Sequence, residues 1–167
     1  YIPVYKLQEC KYKDIGKHVS TYVKLEGNEK VVGALIVKSF DTYAFVVLAT
    51  KNGMIKKTSI PKFDISRFSK AIPAIKLKEN DELVSVNIAY ENDNVIAVSR
   101  SGNYNRYSLE MLSDIAPRAM GVGGINVKND ELAGVAIEHS GPSELLICSN
   151  KGYKRIHFAD LDFTSRN

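Results

Sequence analysis

The sequence predicts an all-β protein built from repeated four-stranded units of about 50 residues each. Three observations predict it. A glycine-centred hairpin motif recurs three times at near-constant spacing. A strand, acidic turn and strand recur in phase with that motif. Helical periodicity is almost absent.

The hairpin motif is an apolar run, a small polar residue, two further residues, a glycine, and then basic residues. It spans Val46–Lys57, Val95–Arg106 and Leu145–Arg155. Gly53, Gly102 and Gly152 lie 49 and 50 residues apart, a period that belongs to propeller-like arrays. The chain then divides into a partial unit 1–40, units 41–90 and 91–140, and a partial unit 141–167. That is about three and a half units in a single domain over 1–167.

Each element has a local reason. The opening Ile2–Leu7 matches the slot that follows each hairpin, filled by Ile60–Phe63, Leu109–Leu112 and Phe158–Leu161. Lys24–Val32, Lys76–Val84 and Asn126–Ala133 each read as strand, acidic turn and strand. Val46–Thr50 is short, apolar and β-branched, as strands require. Asn52-Gly53 is a strong two-residue turn because both types tolerate positive φ. Ser101-Gly102 and Lys151-Gly152 are weaker forms of the same turn. The best helical candidate is one turn near Ser108–Ile115, stopped by Pro117. Gly121, Gly123 and Gly124 read as glycines that let strands approach closely. They lack the lysine and the helix of a phosphate loop.

Composition sets bounds. The 167 residues suffice for one core, and 44% hydrophobic with 25% charged residues fits a soluble globular chain. No run of about 18 apolar residues is present. Tyr1 opens the sequence without a start methionine or signal-peptide pattern, so it reads as a piece of a longer protein. Cys10 and Cys148 are isolated thiols that suit a reduced, cytoplasmic setting. The net charge of +4 is mild, so the placement of charge matters more than its sum.

Placement is where the chemistry lies. The returning strand of each hairpin carries Lys56 and Lys57, then Arg106, then Lys154 and Arg155. Equivalent positions recur on one side of a repeat array, so these cations form an expected stripe. Lys51, Arg100 and Lys151 add charge beside the turns, with Tyr104, Tyr107 and Tyr153 among them. Spaced cations suit the regularly spaced phosphates of a nucleic acid. The plainer account is edge protection by solvated lysines. No base-reading helix, zinc finger or RNA-binding aromatic motif is evident, so binding would follow backbone and shape. His18, His139 and His157 lack metal-ligand spacing. Asp81-Glu82 and Asp130-Glu131 read as solvated turn acids. No catalytic and no metal site is expected.

These motifs resemble one family. Ala49–Thr58, the segment Arg118–Ile125 and the Asp-Glu-Leu turns are similar to the C-terminal repeats of the A subunits of bacterial gyrase and topoisomerase IV. The resemblance covers essentially the whole chain. It implies a β-pinwheel, a propeller-like disc whose adjacent blades exchange a strand. Full pinwheels have five or six blades. It implies that double-stranded DNA is bound around a basic rim, bent, and presented to a catalytic core for ATP-dependent strand passage. The catalytic tyrosine, ATP and Mg belong to other parts of the holoenzyme, so this domain needs no cofactor and none of its tyrosines is catalytic.

Implied partners are the B subunit, reached through the rest of the A subunit, and a second A subunit. The implied location is cytoplasmic and nucleoid-associated, with peripheral association with the cell membrane allowed. The gyrase branch carries a Gln-Arg-Arg-Gly-Gly-Lys-Gly box, and no such run is present. The related slots hold Lys17, Lys70 and Arg118, which would add DNA contacts. This favours the topoisomerase IV branch. The gyrase counterpart and a protein-interaction propeller are the alternatives.

Overall fold

The computed structural model describes residues 1–65 and 71–166. It is all β, with short 3-10 turns and no α-helix among the described residues. The strands are β1 (Phe45–Thr50), β2 (Met54–Ser59), β3 (Leu83–Ala89), β4 (Asn94–Ser99), β5 (Tyr104–Ser108), β6 (Val122–Gly123), β7 (Leu132–Glu138), β8 (Glu144–Ser149) and β9 (Gly152–His157). The three glycine motifs form the antiparallel hairpins β1–β2, β4–β5 and β8–β9.

The sheets are interlaced along the chain. The first has the order β3-β1-β2-β6, the second β5-β4-β7, and the third β8-β9. The fourth strand of the first sheet, β6, comes from beyond the second hairpin. This is the strand exchange of a β-pinwheel. β6 is short because it is glycine-rich, and the glycines are what let it dock. A Cβ on Gly121 would stand 2.6 Å from the Ile55 carbonyl oxygen. At the facing turn, Gly53 adopts φ 79 and a Cβ there would meet the Ile125 carbonyl oxygen at 2.3 Å.

The core follows from strand alternation. Successive residues of a strand point to opposite faces. On β4, Val95 and Ala97 enter a cluster with Val47, Ala49, Ile55 and Leu132. Ile96, between them, enters a second cluster with Leu145, Phe158 and Leu161. The second sheet is therefore covered on both faces, by the first sheet's apolar side and by the third hairpin. This explains why Val95-Ile96-Ala97 is continuously apolar rather than alternating.

Each hairpin ends in a 3-10 turn, at Ile60–Phe63, Leu109–Met111 and Phe158–Asp160. The first residue of each is buried. Its N–H donates to a carbonyl just before the hairpin, on Ala44, Asp93 and Ser143 respectively. The opening segment has the same turn at Val4–Lys6.

The strand–turn–strand expectation needs correction. Only its second strand forms, as β3 and β7, and Lys76 makes just an isolated parallel bridge to Met120. Residues 1–44 contain two 3-10 turns and no strand among the described residues. β3 and β7 exist because each pairs with the hairpin that precedes it, through β1 and β4. Among the described residues no strand pairs with the Lys24–Val32 copy, and an unpaired strand leaves its backbone groups unsatisfied.

Candidate nucleic-acid interface

The cations of the returning strands lie at equivalent repeat positions and in different surroundings. Lys57, Arg106 and Arg155 are spaced 49 residues apart, as are Lys56, Asn105 and Lys154. Lys56 and Lys57 point to opposite faces of β2, yet both are buried, because both faces are covered. Lys56 is 1% exposed. Its ammonium donates to the carbonyl of Ala74 at 2.7 Å and to that of Pro117. Burial pulls its pKa down to about 8. The Lys57 ammonium donates to the Leu109 carbonyl at 3.1 Å and lies 4.8 Å from the centre of the Phe45 ring. Burial lowers its pKa too, opposed by Asp114, Glu91 and Glu110.

Arg106 is 8% exposed. Its guanidinium makes a two-pronged ion pair with Glu138, at 3.0 and 2.7 Å, and donates to the Leu161 carbonyl at 2.6 Å. The Phe163 ring stacks on it at 4.2 Å. The expected exposed stripe therefore does not include Lys56, Lys57 or Arg106. The reason is the cover laid over the returning strand by the segment after it. Ile115 donates its N–H to the Lys57 carbonyl, and Thr164 does the same for Arg106.

The remaining predicted cations face solvent in two ways. Lys51 and Arg100, from successive hairpin turns, grip the same Glu131 carboxylate at 2.9 and 3.1 Å. Arg155 pairs with Glu144 at 3.2 Å while its side chain stays 70% exposed. Pairs of this kind contribute about 0–1 kcal/mol and exchange readily for another anion. Lys17, Arg118 and Lys154 are exposed and make no ion pair among the described residues. Lys70 lies outside the described residues.

The tyrosines separate similarly. Tyr107 is 1% exposed, and its hydroxyl has no hydrogen-bond partner among the described residues. Burial pushes its pKa well up. It packs in the core. The Tyr104 hydroxyl accepts the Asp162 N–H at 3.1 Å. Tyr153 is largely exposed.

Of the turn acids that sequence reads as solvated, Glu82 is exposed, whereas the two aspartates bind the hairpin turns. Asp81 is buried, accepting the Thr50 hydroxyl at 2.6 Å and the Asn52 N–H at 3.0 Å. Asp130 repeats the arrangement. The Ser99 hydroxyl, with Ser101 and the Glu131 N–H, holds its carboxyl well below the usual range. Each carboxylate latches the preceding hairpin turn and so fixes where Lys51 and Arg100 project. Thr50–Asp81 and Ser99–Asp130 share a 31-residue spacing, a signal that could have identified the latch. Glu138, the acid that holds Arg106, carries no comparable signal.

Two of the histidines lie beside carboxylates. The His139 Nδ1 lies 2.8 Å from Asp93, and His157 is 3.3 Å from Glu144. Among the described residues no three His, Cys, Asp or Glu side chains are grouped to hold a metal. No helix among them is long and apolar enough to cross a membrane.

Three comparisons bear on this arrangement. The family described as DNA gyrase C-terminal domain, beta-propeller, matches residues 1–38, 44–89 and 93–137. A protein of Staphylococcus aureus strain MSSA476, described as the A subunit of DNA topoisomerase 4, is 40% identical over 168 residues, covering 99% of this chain and 21% of that protein. Its counterpart in strain MRSA252 is 39% identical over the same coverage. The chain thus spans about a fifth of these relatives' length. The crystal structure of the C-terminal domain of DNA topoisomerase IV superposes with a TM-score of 0.86 at 24% identity, covering 98% of this chain and 51% of that one. The DNA gyrase A C-terminal domain gives 0.78 at 20% identity, covering 93% and 52%. These two likenesses establish the fold.

Proposed function

The chain belongs to the DNA gyrase C-terminal β-propeller family, and from that premise we propose that it binds and bends duplex DNA without reading its sequence. It does so as a non-catalytic domain of a type IIA topoisomerase A subunit, on the topoisomerase IV branch. The observation that carries this reading is the family match over three consecutive repeats, with cations left exposed in those repeats. The 40% identity to the A subunit of DNA topoisomerase 4, over 99% of the chain, supports the branch.

Lys17, Arg118 and Lys154 are the proposed primary phosphate contacts. Lys51, Arg100 and Arg155 join when phosphate replaces the carboxylates that now hold them. Lys70 belongs with the first group by its repeat slot. Contacts of this type position a duplex without specifying bases. Bending about 20–30 base pairs costs a few kcal/mol, offset by the added phosphate contacts. In the whole enzyme the bent duplex would be delivered for ATP-dependent strand passage. The partners would be the B subunit, with a second copy of the whole A protein, and the location would be the nucleoid in the cytoplasm. ATP and Mg would act outside this domain.

The test is duplex binding by the full-length protein, measured over a salt series. Changing Lys17, Arg118 and Lys154 to alanine one at a time should weaken binding equally on unrelated sequences. Each change should lower the salt slope by about one. Absence of duplex binding at low salt would favour a protein-interaction propeller instead. A topology assay showing constrained positive supercoils would move the chain to the gyrase branch.

A further inference from the structure

The buried ammonium of Lys56 joins two stretches of chain that are remote in sequence. Its acceptors, the Ala74 and Pro117 carbonyls, lie 18 and 61 residues away. The two stretches also meet directly. The Lys76 N–H donates to the Ala119 carbonyl at 3.1 Å, and Lys76 bridges Met120 in parallel. The Ala119 N–H closes a turn onto the Ala116 carbonyl at 3.0 Å. Arg118 sits inside that turn and is exposed.

The same position acts again in the second repeat. Asn105 is the equivalent of Lys56, and Arg166 is the equivalent of Pro117. The Asn105 amide donates to the Ser165 and Arg166 carbonyls, each at 3.2 Å. A donor to the covering segment thus recurs, although the residue type changes. Lysine has the longer reach and ties in Ala74 as well. Burying an ammonium is unfavourable unless it is fully hydrogen-bonded, and burial alone accounts for its lowered pKa. An apolar side chain would fill this space and leave both carbonyls unpaired.

We propose that Lys56 is a positioning residue whose buried ammonium staples the Ala116–Met120 turn to the Ala74–Lys76 stretch and thereby sets the phosphate contact of Arg118. The link to phosphate rests on the DNA-binding reading above, whereas the staple itself does not. Lys56 never touches DNA in this scheme. Its effect on binding passes entirely through Arg118.

The test uses the full-length protein carrying Lys56→Met, Lys56→Gln, Arg118→Ala, or Lys56→Met with Arg118→Ala. Hydrogen exchange is followed in peptides covering 74–76 and 116–120, with β1 as the internal reference. Lys56→Met should speed exchange at 116–120 by about tenfold or more and leave Val47 and Leu48 protected. Lys56→Gln, which keeps a donor, should retain part of the protection, and it decides the matter if the Met variant does not fold. In the salt series, Lys56→Met and Arg118→Ala should each lower the slope by about one, and the double variant by no more than either. Unchanged exchange at 116–120, or slope losses that add in the double variant, overturns the proposal. If the unaltered protein binds no duplex, the DNA reading fails, and the exchange data still decide whether the staple exists.

Discussion

Arg106 and Arg155 are the same residue type at the same place in successive hairpins. Arg106 is buried against Glu138, Leu161 and Phe163. Among the described residues Arg155 pairs with Glu144, and its side chain is 70% exposed. The hairpins beneath them are built alike, β4 pairing β5 as β8 pairs β9. What differs is the cover. The second hairpin is flanked by β7, which supplies Glu138, and overlaid by Phe163 and Thr164. Among the described residues no strand pairs with either edge of the third hairpin. A basic residue in this repeat is therefore neither a ligand contact nor a structural element by its own nature. The neighbouring repeat decides which it becomes.

The comparison is broken most directly by removing each arginine. Arg106→Ala leaves Glu138 buried without its partner and should cost about 3–5 kcal/mol in urea unfolding. Within residues 1–167, Arg155→Ala should cost about 1 kcal/mol or less. Equal losses would mean that cover does not separate the two sites.

A second contrast lies between the first hairpin's buried lysines and the exposed ones. Lys56 gives up its proton near pH 8 in the folded chain, against 10.5 when unperturbed. Between those values the unfolded chain holds more protons, so stability rises with pH. From about pH 8 to about pH 9.5 the domain should become more stable, with a full range on the order of 3 kcal/mol. Lys57, lowered in the same direction, adds to the trend. Unfolding measured across this range should show the rise, and Lys56→Met should remove its larger share. A slope of the opposite sign would show that the ammonium is not buried at cost.

The hairpin turns sharpen the comparison further. Gly53 and Gly102 both have positive φ, 79 and 91. Only Gly53 has backbone of the neighbouring repeat against it, whereas a Cβ on Gly102 would meet nothing within 4 Å. Alanine at either should cost about 1–2 kcal/mol for the left-handed backbone. At Gly53 it should cost roughly 1–3 kcal/mol more for the collision with Ile125. Thermal melts of the two variants measure the difference.

The smallest expected effect concerns Glu131. Glu131→Gln frees Lys51 and Arg100 together and should raise duplex affinity up to about fivefold. The salt dependence should steepen as the freed cations reach phosphate. Weaker binding would mean that Glu131 orders these side chains for DNA instead of competing with it.

The sequence alone determined the local events. The spacing of Gly53, Gly102 and Gly152 marked three hairpins. The slots at Ile60, Leu109 and Phe158 marked three turns, and the glycines at 121–124 marked a close approach. The hairpins and turns are short-range, because a turn glycine or a β-branched run acts on its immediate neighbours. Tertiary structure alone decided the fate of the charges. Lys56 is closed in by Pro117, 61 residues on, and Arg106 by Glu138, Leu161 and Phe163. Burial is a property of contacts between distant segments, and a lysine or arginine carries the same charge in the sequence wherever the chain later folds over it.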